Sequence, residues 1–162
     1  MSETSWWEAA VRGAAAGAAG TTALNAVTYL DMAWRGRPPS STPEDTVEKL
    51  AHAAGVEVPG DDQTRQNRLA GLGPLTGIAT GVGVGVAAGL LARSRRLPWP
   101  ALAGVVGLGA MAGANGPMTV LGITDPRSWG VAGWLSDGVP HVVYGVVTAY
   151  VAHGLLRRPP ER

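Results

Sequence analysis

From Leu69 to Ala92 the chain runs 24 residues without a charge, and within that run glycine recurs as Gly73, Gly77, Gly81, Gly85 and Gly89. Five glycines at a spacing of four form one smooth ridge along a helix face. In water each interior glycine costs a helix up to about 1 kcal/mol relative to alanine. In lipid the same ridge lets a second backbone approach closely, a main source of helix association there. The segment therefore reads as a transmembrane helix built to be packed against.

Three further runs extend that reading. Gly13 to Leu30 is uncharged for 18 residues and Leu97 to Thr124 for 28, while Gly138 to Leu156 holds no Asp, Glu, Lys or Arg over 19. About 20 mostly apolar residues span a bilayer core as a helix. The pattern predicts an all-α fold, an integral membrane four-helix bundle forming one domain over residues 1–162. Its spans fall near 8–33, 67–93, 98–122 and 134–156, and the loop 35–66 carries a short amphipathic helix. A soluble Ala/Gly-rich helical domain is the competing reading. The first span gives it most ground, because Gly13-Ala-Ala-Ala-Gly17-Ala-Ala-Gly20 would insert poorly without neighbours.

Composition removes several function classes. The chain has no cysteine, which excludes disulfides, thiolate metal sites and thiol redox chemistry. A net charge of +1 gives no ground for bulk nucleic-acid binding. Arginine outnumbers lysine twelve to one and phenylalanine is absent, a usage that fits the codon bias of a GC-rich bacterium. Before Gly13 stand Glu3 and Glu8 against Arg12, not the basic n-region of a signal peptide, so the first span is read as retained.

Four spans put both termini and the middle loop on one face. That face receives Arg93, Arg95, Arg96, Arg157, Arg158 and Arg162, tightly clustered at helix ends; the other receives Arg35, Arg37, Lys49, Arg65, Arg68 and Arg127, spread through a longer loop. The density of the first set favours cytoplasmic termini. Trp6, Trp7 and Trp99 then fall at the inner interface and Trp34, Trp129 and Trp134 at the outer one, where indole anchors.

In the outer loop, Thr42 is read as a helix cap with Pro43 in the first position and Glu44 and Asp45 facing the positive dipole end. Val47, Leu50, Ala51 and Ala54 repeat at helical spacing, and Gly55 supplies the stop. Pro59-Gly60-Asp61-Asp62 reads as a turn, after which Gln63 to Arg68 begin the next helix in water. Asp61 and Asp62 with Arg65 and Arg68 are read as a cap with local ion pairs rather than as substrate-binding acids.

Polar groups inside spans point to function, because lipid makes them costly. Asp137, His141 and Tyr144 share one helix face, with His141 ~6 Å and Tyr144 ~10 Å deeper than Asp137. If the helix starts near Ser136, Pro140 sits in its first turn and Ser136 or Asp137 caps it. Asn25, Tyr29 and Asp31 lie toward the outer end of the first span. Pro117 in Ala114-Asn115-Gly116-Pro117 predicts a break or kink near Asn115. Asn25, Asn115, Asp137 and His141 are thus expected to converge on a small polar pocket open to the outer face. Such a cluster fits interhelical hydrogen bonding that fixes register, or a proton- or ligand-responsive pocket in which His141 changes charge against Asp137. A metal site is a third reading, with a thin ligand set. His153 is read as interfacial and His52 as solvated.

No catalytic template occurs: neither a Gly-x-Ser-x-Gly, a His-Glu-x-x-His nor a Walker phosphate loop. Gly81-Val-Gly83-Val-Gly85 lacks the strand-turn-helix context of dinucleotide binding. The chain is therefore read as a non-enzyme with no cofactor.

The order of motifs resembles the YagU-like family of bacterial inner-membrane proteins of unknown function. The matching stretches are Gly17-Ala-Ala-Gly20, Pro38-Pro39-Ser40 through Pro43, Pro117-Met118, Gly122-Ile-Thr-Asp-Pro126, Trp134, Ser136-Asp137 and His141, about a third of the chain. The chain departs from that pattern in being shorter and in carrying Asp137 where a Glu is expected. The resemblance implies an inner-membrane helical bundle and brings no established activity. Two function classes follow for such a chain. One is a small transport or sensing protein using the polar pocket for a proton or small ligand. The other is an accessory or scaffold subunit whose glycine ridge docks on a membrane-protein partner or on a second copy. The lipid bilayer is the common partner and nucleic acid is not one.

Overall fold

The computed structural model describes residues 5–94 and 97–156. They form five α-helices: α1 (Trp6–Arg35), α2 (Thr42–Ala53), α3 (Asp62–Ser94), α4 (Trp99–Val120) and α5 (Val131–Leu156). A single 3-10 turn covers Pro126–Ser128, and no strand occurs among the described residues. Glu3, Arg95, Arg96, Arg157, Arg158 and Arg162, used above for the first span and for orientation, lie outside the described residues.

Local chemistry sets the ends of these helices. Ser5 and Glu8 form a reciprocal capping box, with Glu8 N–H on Ser5 Oγ at 3.1 Å and Ser5 N–H on Glu8 Oε2 at 3.0 Å. Gly36, at φ 62°, closes α1 in the left-handed conformation that glycine adopts without steric cost. The cap of α2 is Ser41, not Thr42; Pro43 is then the second helical residue, and Ser41 Oγ bonds the Asp45 carboxylate at 3.1 Å. Asp61 caps α3 as its sequence position implies, its Oδ1 accepting from Thr64 N–H at 2.8 Å. The ion pairs expected beside it are replaced by longer-range partners: Arg65 pairs with Glu48 on α2, and Arg68 donates to the Pro59 carbonyl.

Two expectations about helix continuity fail. α4 is helical through Asn115 to Val120 with Pro117 inside its last turn, so the helix does not end at Asn115. α5 begins at Val131, so Ser136 and Asp137 lie inside it and Pro140 is a true interior proline.

The four long helices pack as antiparallel neighbours. Along α1 and α3, Ala9 faces Gly89, Gly13 faces Gly85 and Gly17 faces Gly81. A Cβ built on Gly17 would lie 2.7 Å from the Gly81 carbonyl oxygen, and one on Gly13 2.5 Å from that of Gly85. Only glycine permits this approach. α1 is therefore the partner of the ridge; Gly104 and Gly113 on α4 face open space, as does Gly77. Gly73 instead receives Pro43 and Glu44 at the start of α2. A second glycine crossing joins α4 to α5, where a Cβ on Gly145 would fall 2.8 Å from Gly107 Cα. Ala88, Leu102, Ala103, Val106, Ala110, Tyr144 and Ala149 make the buried core between α3, α4 and α5.

α3 and α4 are long and apolar enough to cross a membrane. α1 and α5, at 30 and 26 residues, have the length to do so. Within the most apolar stretch of α3 only 22% of residues are buried by the chain itself, and within that of α4 only 28%.

Candidate functional site

The α4–α5 crossing assembles the polar cluster. Because Gly107 lies against the His141 carbonyl, with a built Cβ 3.0 Å from that oxygen, the two backbones run close enough for α4 side chains to reach α5. Two turns along, Asn115 Nδ2 donates to Asp137 Oδ2 at 2.8 Å. One turn deeper on α5, His141 Nδ1 lies 2.7 Å from the Asp137 backbone carbonyl oxygen and 3.6 Å from Asp137 Oδ1. A carbonyl oxygen only accepts, so Nδ1 is the donor and a neutral His141 keeps its lone pair on Nε2. The side chains are shielded but not sealed: Asp137 is 25% exposed and His141 12%.

Three of the seven predicted pocket residues therefore meet: Asn115, Asp137 and His141. Tyr144 shares their helix but turns away, buried to 1%, and donates its hydroxyl to the Gly81 carbonyl oxygen on α3 at 2.5 Å. Asp31 is held by arginines instead, with Arg35 Nε at 2.9 Å and Arg37 Nε at 2.6 Å. Tyr29 is 61% exposed on the outside of α1, and Asn25 makes no hydrogen bond to the cluster. Helical spacing places residues on a face without saying which neighbour that face meets, which is why Asn25, Tyr29 and Tyr144 share the expected polarity but not the cluster.

Three participants carry no signal in the sequence. Arg35 Nη2 donates to Ser136 Oγ at 2.7 Å, tying the end of α1 to the residue before Asp137. Gly107 and Gly145 supply the close approach; their spacing along two different helices carries no periodic signal. Among the described residues no three His, Asp or Glu side chains come together as metal ligands. Asp137 and His141 alone are two where a structural zinc site uses four.

An open groove of about 920 Å³ lies apart from this cluster, between α2, the turn after it and the loop following α4. Its charged walls are largely committed: Lys49 Nζ donates to the Leu121 carbonyl at 2.8 Å, and Arg65 pairs with Glu48. Comparison with protein-family models, with curated proteins and with solved structures gives no match.

Proposed function

We propose that this chain is a small multi-pass protein of a bacterial cytoplasmic membrane, its four long helices crossing the bilayer as a bundle with both termini inside. Its task on this reading is transport or sensing of a proton or small ligand through the outward polar site Asn115–Asp137–His141, without enzymatic chemistry. The membrane part is supported by the sparse burial of the apolar stretches of α3 and α4, since a soluble core helix would be mostly covered. It is also supported by the aromatic ends. Trp6 stacks under the Arg93 guanidinium at 3.9 Å at one end, and Trp129 meets Trp134 edge-on at 5.2 Å at the other. The resemblance to the YagU-like family points to the same architecture.

One observation carries the functional part: Asp137 is fixed by Asn115 on one carboxylate oxygen while its other oxygen faces the His141 ring at 3.6 Å. Imidazole can take up a proton on its second ring nitrogen, here Nε2. Protonation at Nε2 turns a dipolar contact into an ion pair inside a shielded site, which is a change of state the rest of α4 and α5 must feel. Docking through the glycine ridge is less well supported, because α1 already fills Gly81, Gly85 and Gly89.

The test is proton flux and Trp fluorescence across pH 5 to 8 for the protein reconstituted in liposomes. The wild type should respond in that window, and His141→Gln and Asp137→Asn should lose the response while remaining assembled. A wild type indifferent to pH and to small solutes removes this reading. Since the chain has no cysteine, single cysteines introduced after Gly36 and near Leu97 report topology against a clean background.

A further inference from the structure

The C-terminal end of α1 carries more positive charge than the protein itself neutralises. α1 ends at Arg35, and Gly36, at φ 62°, folds the chain back so that Arg37 returns to the same carboxylate that Arg35 holds, Asp31. Two guanidiniums share one acid, which leaves a surplus charge of one. Their donors are also unevenly spent. Arg35 uses Nε and Nη2, on Asp31 and on Ser136 Oγ; Arg37 uses Nε on Asp31 and Nη1 on the Pro38 carbonyl at 3.4 Å. A guanidinium offers five N–H donors over three nitrogens, so Arg35 Nη1 and Arg37 Nη2 have no acceptor within the described residues. Beside them Trp34 stands 91% exposed, and an exposed indole on a membrane helix settles at headgroup level.

We propose that Arg35 and Arg37 form a binding site for a phosphate group, with Asp31 holding the two guanidiniums as a preorganised pair. Arginine is the residue suited to this, because its planar fork meets phosphate oxygens with two parallel bonds. The phosphate can be that of an anionic lipid headgroup or free phosphate, and the lipid case rests on the membrane reading above. Bound there, it completes the charge balance at the end of α1 and acts on the arginine that also holds Ser136, one residue from Asp137.

The experiment uses the full chain in nanodiscs of phosphatidylcholine with or without phosphatidylglycerol, read by native mass spectrometry for retained lipid. In parallel, inorganic phosphate is titrated against the detergent-solubilised protein by thermal shift. The site requires that phosphatidylglycerol be retained over phosphatidylcholine, or that phosphate raise the melting temperature; the first outcome names a headgroup and the second a free anion. Arg37→Gln should weaken whichever signal appears by about tenfold, the scale of one charge-assisted bond, and Arg127→Gln should leave it unchanged. Equal retention of both lipids together with no phosphate response overturns the site. If the chain fails to enter nanodiscs, the membrane reading falls while the phosphate titration still decides the arginine pair.

Discussion

The Tyr144 hydroxyl donates to the Gly81 carbonyl oxygen at 2.5 Å, which joins α5 to the turn of α3 that α1 also packs on. On the α1 side of this node, Thr21 Oγ1 occupies the place a Cβ on Gly81 would take, and Thr148 Oγ1 does the same at Gly20. Three helices are thereby fixed in register by two glycines and three hydroxyls. Removing only the hydroxyl tests the bond without opening a cavity. Tyr144→Phe should cost about 0.5–1.5 kcal/mol, toward the lower end if lipid surrounds the bundle. Tyr144→Ala, which also empties the site, should cost about 3–5 kcal/mol by analogy with other buried aromatics. Unfolding in mild detergent separates the two; no loss in Tyr144→Phe would mean the hydroxyl contributes nothing, and equal losses that the ring adds nothing to it.

The glycines of α3 differ in what faces them, so alanine substitution should sort them. At Gly85 a Cβ would overlap the Gly17 backbone, which cannot rotate away, and Gly85→Ala should destabilise by about 1–3 kcal/mol. At Gly81 the obstacle is the Thr21 side chain, which can turn, so the loss should be smaller. Gly77 and Gly83 meet nothing, and there alanine should be neutral or stabilise by up to about 1 kcal/mol through helix propensity. A melting series over the four variants reads the order directly. Uniform losses would show that the spacing, rather than the α1 contact, sets the behaviour of the ridge.

The cap of α3 should be pH-sensitive in a defined direction. Hydrogen bonds from Thr64, first its side chain and then its backbone N–H, hold the Asp61 carboxyl below its ordinary value of 3.8. A depressed folded value means the stabilisation is present above about 3.8 and is lost as pH falls through the folded pKa. Hydrogen exchange at Gln63 to Asn67, corrected for intrinsic rates, should therefore accelerate in Asp61→Ala at pH 7. Near pH 2 the variant and the wild type should converge. Persistent separation at pH 2 would assign the cap's effect to something other than the ionised carboxylate.

Much of the fold was legible because it rests on period and composition. The ridge, the four long helices, the α2 helix and its Gly55 stop, and the Asp61 cap all follow from local spacing. What was not legible depends on which helix faces which. The ridge glycines gave no way to choose α1 over α4. The start of α5 is a second case: a proline marks a first turn only if nothing upstream is helical, and Val131 to Leu135 continue the helix and leave Pro140 in its interior. For the site, polarity at depth singles out seven residues; the structure brings Asn115, Asp137 and His141 together and leaves Asn25, Tyr29, Asp31 and Tyr144 elsewhere. Arg35 escaped notice because its link to Ser136 spans 101 positions in the chain.

The polar cluster should depend on the backbone approach beneath it. A Cβ on Gly145 would lie 2.8 Å from Gly107 Cα, and one on Gly107 would lie 3.0 Å from the His141 carbonyl oxygen. Gly145→Ala should therefore push α4 and α5 apart and cost about 1–3 kcal/mol, lengthening the Asn115–Asp137 bond on the way. Gly107→Ala needs the neighbour to yield only a few tenths of an ångström, so its cost should be lower. Asn115→Leu removes the bond but leaves the crossing intact. If the cluster works as a unit, Gly145→Ala and Asn115→Leu should alter the same pH response as Asp137→Asn, measured by Trp fluorescence in liposomes, while Asn115→Leu keeps near wild-type stability. A response altered in Gly145→Ala alone would trace it to the helix crossing and not to the hydrogen bond that Asn115 gives Asp137.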